Sequence, residues 1–287
     1  MKNQVFWARK LGLRRERPRG RESRERTVVL TKRRKFVLVS LALSLYLYAV
    51  QSFSVELRFV TISFLALVSF ALSGWSLFKD LRGHAWIANL ILPILYPVAV
   101  ALFYFLLPQS ALTRMLVIVV FAITMYALLL TANIFAVASI RTIQLLRAAR
   151  TVGFLLSVVT AALLFHVLFT LRLPYYLLTI NSFLVSFPIF LQGTWSYTLS
   201  ERVSRQELLP SSIGALILLE GATVLSFWLI EAPFASILLA MMVYVLLGLF
   251  QHKIEQRLFT RTVTEYLSFA ILVLIVVASA VFYRWMT

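Results

Sequence analysis

The sequence predicts an all-α polytopic membrane protein, a bundle of about nine transmembrane helices with its N-terminus cytoplasmic and its C-terminus outside. Three observations carry this. The 287 residues are 61% hydrophobic, with a mean hydropathy of +0.89, where a soluble domain is about half apolar. The apolar residues come in nearly unbroken runs of roughly 17–26, and a helix needs about 20 to cross the hydrocarbon core. Finally, 24 of the 28 Lys and Arg fall in alternate loops on one side, against 4 on the other; cytoplasmic loops retain these residues.

Only helices and closed barrels satisfy their backbone groups in lipid. The runs lack the two-residue alternation of barrel strands, so the spans are helical. They read, in order, as 36–53, 59–78, 86–107, 115–140, 152–171, 175–195, 213–230, 234–250 and 266–282. The first follows the basic run Lys32, Arg33, Arg34, Lys35. The second and third are bounded by Trp75 and Trp86, and the sixth by Trp195, all at expected cytoplasmic ends. Trp228 and Trp285 close the seventh and ninth at expected outer ends, which together make an aromatic belt. The third contains Pro93 and Pro97 and the sixth Pro188. Proline frees a backbone carbonyl, and broken helices mark binding sites in transporters. The outer loops are short. Arg172, Leu173 and Pro174 join spans five and six, and Glu231, Ala232 and Pro233 join spans seven and eight. Such loops force antiparallel hairpins and leave no room for an outer domain.

Residues 1–35 form a basic cytoplasmic segment, and 36–287 the transmembrane domain. Between Arg14 and Arg26, Arg alternates with Glu16, Glu22 and Glu25 and with Pro18 and Gly20. High charge and few apolar residues predict disorder in isolation. The expected partner is the bilayer itself, through anionic lipid headgroups that each basic residue attracts by roughly 1 kcal/mol. A protein partner with an acidic surface is the alternative. Nucleic acid is not expected, since no folded reading element accompanies the Arg excess.

Inside the membrane, Glu220 stands out near the middle of span seven. An ionised side chain there costs on the order of 3 kcal/mol by insertion scales, so Glu220 is expected to face the bundle interior, as a proton or cation site or as a neutral acid bonded across a helix interface. His166 in span five, Asn133 in span four and Asn181 in span six complete a candidate polar site, with Thr131 and Gln192 as further interhelical hydrogen-bonding groups. On the cytoplasmic side, the stretches after spans four and eight read as helix extending past the membrane. In them Arg141, Arg147 and Arg150, and later Lys253, Arg257 and Arg261, reach towards headgroups.

The chain holds no cysteine and one aspartate, Asp80. Disulfides and thiolate metal sites are excluded, and the clustered carboxylates that hold Mg²⁺ are lacking. His84, His166 and His252 are scattered and give no zinc motif. No metal, cofactor or catalytic residue is indicated. The runs TANIFAVASIRTIQLLRAARTVGF (131–154), SFPIFLQGTWSY around Pro188 and LFTRTVTEYL before span nine resemble a group of uncharacterised multispanning membrane proteins from candidate-phylum bacteria. The resemblance spans most of the membrane region and implies a bacterial inner-membrane location, with no activity attached. The functional expectation is a non-enzymatic, transporter-like protein that moves or accommodates a small or amphipathic molecule. A structural or assembly subunit is the alternative, and a metal-free lipid-modifying enzyme the third reading.

Overall fold

A computed structural model of the chain describes residues 32–50, 57–78, 86–108, 110–138, 144–228 and 230–286. They form nine helices and no strand: α1 (Lys32–Val50), α2 (Arg58–Leu77), α3 (Trp86–Tyr104), α4 (Ala111–Ala138), α5 (Leu146–Thr170), α6 (Tyr175–Thr198), α7 (Arg205–Phe227), α8 (Ala232–Ile254) and α9 (Thr260–Met286). Eight are long and apolar enough to cross a membrane. The exception is α1, whose first turn is spent on Lys32, Arg33, Arg34 and Lys35. It nevertheless runs alongside α2. Lys35 Nζ sits 4.7 Å from the ring centre of Trp75 at the far end of α2, and Tyr46 donates to the Thr61 carbonyl near the start of α2. Of the expected basic segment 1–35, residues 1–31 lie outside the described residues, and Lys32–Lys35 open α1.

Two large apolar cores share the bundle, beside a smaller cluster of Ala88, Phe135, Ala149 and Trp195. One joins α1–α4 through Phe36, Leu43, Leu65, Tyr96, Phe121 and Met125. The other joins α5–α8 through Phe165, Ile189, Phe190, Leu218, Leu239 and Leu247, with Ala99 of α3 reaching into it. α3 and α5 pack against each other and hold the two halves together. The main packing partner of α9 is α8, and most of its span is open.

The prolines are accounted for, and two expectations are corrected. The prolines break no helix: α3 runs through Pro93 and Pro97 and α6 through Pro188. The carbonyl of Pro93, deprived of its helical donor by Pro97 four residues on, accepts from Ser69 Oγ of α2 at 2.7 Å instead. Trp195 is no belt residue. It is 3% exposed, donates from Nε1 to the Ser200 carbonyl at 3.1 Å and meets Phe135 edge-on. The last two spans, short in the sequence, are full-length helices because polar ends such as Gln251–Lys253 and Thr260–Glu265 continue the helical backbone.

Candidate functional site

Arg150 is a polar hub that joins three helices. It lies one turn inside the start of α5, and its position follows from how α6 ends. The last carbonyls of a helix have no intrahelical donor. Leu199 turns left-handed (φ 49°) and caps only the Trp195 carbonyl. The carbonyls of Ser196 and Tyr197 are taken by Arg150, with Nη2 donating to Tyr197 at 2.9 Å and Nε to Ser196 at 3.4 Å. A cation at the negative end of a helix is also favoured by the macrodipole. The remaining arm, Nη1, donates to Glu255 Oε1 at 2.9 Å, just past the end of α8. The guanidinium stacks 4.4 Å from the Tyr197 ring centre. One side chain thus ties the same-side ends of α5, α6 and α8.

Arg150 forms one wall of an open cavity of about 920 Å³, lined also by Gln144, Arg147, Thr151, Glu255 and Arg257. Its one carboxylate is already engaged by Arg150. Arg147 and Arg257 are exposed and have no acidic partner among the described residues. Below them, Thr151, Leu155 and Val159 follow at helical spacing on α5, all exposed, so an apolar stripe descends directly from the basic rim. Arg147 and Arg150, named from sequence as headgroup contacts, are therefore brought together; Arg141 lies outside the described residues.

A layer of buried polar groups sits beneath this end of the bundle. Ser157 of α5 donates to Gln192 Oε1 of α6 at 3.1 Å, Gln251 Nε2 of α8 to the Gly193 carbonyl at 3.2 Å, and Asn89 Nδ2 of α3 to the Ala132 carbonyl of α4 at 2.9 Å. Thr194 and Ser211 hydroxyls lie 3.2 Å apart. Glu207, 1% exposed, closes a capping box at the start of α7, where its carboxylate accepts from the Ser204 backbone N–H at 2.7 Å and from the Ser200 hydroxyl at 2.9 Å. A small cavity of about 10 Å³ lies among Asn89, Thr131 and Gln192, the size of a single water. Asn89, Ser157, Glu207 and Gln251 were not foreseen from the sequence. Only Glu207 carried a usable signal, the S-x-x-E spacing from Ser204 before an apolar run.

The candidate intramembrane site is not assembled. Glu220 is exposed on the outer face of α7, which corrects the expectation that it points inward. The neighbouring Gly221 and Ala222 explain why: Gly221 takes the face towards α8, where a Cβ would meet Met242 at 2.9 Å, and Ala222 is fully buried in the core. His166 is half-buried and packs edge-on to Phe103 of α3, ring centres 5.3 Å apart. Asn181 Nδ2 donates within its own helix to Leu177, and Thr131 likewise to Ala127. Asn133 Oδ1 is buried with no hydrogen-bond partner. No hydrogen bond joins any two of Glu220, His166, Asn133 and Asn181 among the described residues. No family model, curated protein or solved structure matches this chain.

Proposed function

We propose that this integral membrane protein, in a bacterial cytoplasmic membrane with the Arg150 end facing the cytoplasm, accommodates an anionic amphipathic molecule, its phosphate-bearing headgroup in the Arg147–Arg150–Arg257 cavity and its chain along α5. The observation that carries this is the cavity itself. Two guanidiniums without an acidic partner among the described residues and a third, immobilised one face a common space, and an apolar helix stripe begins where they end. Guanidiniums match phosphate oxygens in bidentate geometry. Arg150 is held by two carbonyls, a carboxylate and an aromatic face, so its ordering cost is met before any ligand arrives. The cavity's carboxylate is paired and no nucleophile stands beside a free base among the described residues, so the arrangement supports binding over bond-making. The charge asymmetry of the loops supports the orientation.

The test is lipid competition on the purified chain in detergent, followed by native mass spectrometry. Phosphatidylglycerol is expected to be retained over phosphatidylcholine, and the double variant Arg147→Gln, Arg257→Gln to lose that preference while its melting temperature stays within a few degrees. Equal retention of both lipids by the unaltered chain would overturn the reading.

A further inference from the structure

The outer face of α7 carries a seam that lipid alone does not explain. Leu209, Ile213, Leu216 and Glu220 recur at alternating steps of four and three residues, with Phe227 seven beyond Glu220, the heptad spacing of a helix that pairs with another; the intervening Thr223 turns towards α6, its hydroxyl 2.7 Å from that of Thr179. Leu209, Ile213, Leu216 and Phe227 are 58%, 50%, 49% and 73% exposed. Glu220 is exposed too, with no hydrogen bond or ion pair among the described residues. It lies eight residues before Trp228, roughly 12 Å along the helix, close to the middle of a hydrocarbon core about 30 Å thick. A carboxyl side chain cannot snorkel that far, and an unpaired polar group in hydrocarbon is expensive even when neutral. This face is therefore covered by something that offers hydrogen bonds at the depth of Glu220.

We propose that it is covered by α7 of a second copy of this chain. Two copies insert in the same orientation, so their α7 helices run parallel, and a two-fold axis along the membrane normal brings each Glu220 opposite its counterpart at equal depth. A carboxyl group both donates and accepts, so the pair satisfies itself. The heptad places Ile213 and Glu220 at one kind of seam position and Leu209 and Leu216 at the other. Ile at the first and Leu at the second favours two parallel strands, and one polar residue in the first fixes register and copy number. The proposal stands apart from the anion cavity, which opens on α5, α6 and α8.

The absence of native cysteine makes the test direct. The purified full chain is reconstituted in vesicles of phosphatidylcholine and phosphatidylglycerol, and single-cysteine variants are oxidised. Leu216→Cys and Ile213→Cys are expected to give disulfide dimers, and Leu272→Cys, equally open to lipid on α9 (58% exposed), only monomer. Subunit counting by photobleaching is expected to give two for the unaltered chain and for Glu220→Gln, which keeps donor and acceptor. Glu220→Leu is expected to weaken the dimer about tenfold, the scale of an interhelical hydrogen bond. A monomeric unaltered chain, or cross-linking at position 272 as efficient as at 216, would overturn the proposal. The cysteine arm keeps Glu220 in place, so it remains decisive should Glu220→Leu fail to fold.

Discussion

Ser69 and Pro93 are bonded because of a third residue, Pro97. Ser69 Oγ donates to the Pro93 carbonyl at 2.7 Å, and that carbonyl is open because Pro97 has no N–H to offer it. In lipid the vacancy must be filled by the protein, and α2 supplies a serine at the contact. Ser69→Ala is expected to lower stability by about 1 kcal/mol, seen as a melting shift of a few degrees in detergent. In a Pro97→Ala background the helix supplies its own donor, and Ser69→Ala is expected to be nearly silent. An equal cost in both backgrounds would detach the serine from the proline.

The crossing of α6 and α8 rests on a missing side chain. A Cβ on Gly193 would collide with Leu247, one turn from where Gln251 donates to the Gly193 carbonyl. Gly193→Ala is expected to destabilise by about 1–3 kcal/mol through overpacking, and Leu247→Ala in the same chain to relieve part of the strain. Gly74→Ala is the control, because its nearest neighbour would be Leu90 at 4.0 Å. A Gly193→Ala chain that melts with the Gly74→Ala control would show that α6 and α8 can separate without penalty.

Apolar runs and loop charges made the helices legible, because both are one-dimensional properties that the bilayer reads directly. The polar site was much less so. Glu220 and Gln192 look alike in sequence as lone polar groups in apolar runs, yet one faces out and the other in. That direction is set by neighbours such as Gly221 and Ala222, through packing against helices distant in the chain. Arg150 was legible as a basic residue at a membrane surface, but its partner Glu255 stands 105 residues away. Trp195 misled for the same reason: position along a helix marks depth in the membrane, not which side of the helix meets lipid.

Arg150 holds three helix ends through geometry as much as charge, so Arg150→Lys is not a conservative change. A lysine ammonium cannot reach the Ser196 and Tyr197 carbonyls and Glu255 in one planar fork. Arg150→Lys is expected to lower thermal stability by about 1–3 kcal/mol, the cost of leaving polar groups unpaired. Glu255→Gln keeps an acceptor at the same place and is expected to cost less, about 1 kcal/mol or below, as for a partly exposed pair. Melting curves of the two variants in one detergent decide this. If Glu255→Gln proves the more damaging, the ion pair rather than the helix cap is what Arg150 supplies.

The final prediction concerns whether α1 crosses the membrane. Its apolar part is short, yet Lys35 lies at one end of α2 and Tyr46 near the other, so α1 runs the depth of its neighbour. Nine crossings put the termini on opposite sides, and eight put them together. In the cysteine-free chain, Phe6→Cys and Gly20→Cys are expected to react with a membrane-impermeant maleimide only after the cytoplasmic face is opened. Met286→Cys is expected to react in intact cells, because the loops near it are poor in Lys and Arg. Labelling of both ends from one side would remove α1 from the count of spans. Labelling of position 6 alone in intact cells would keep nine spans and invert them, which would also move the Arg150 cavity out of the cytoplasmic leaflet.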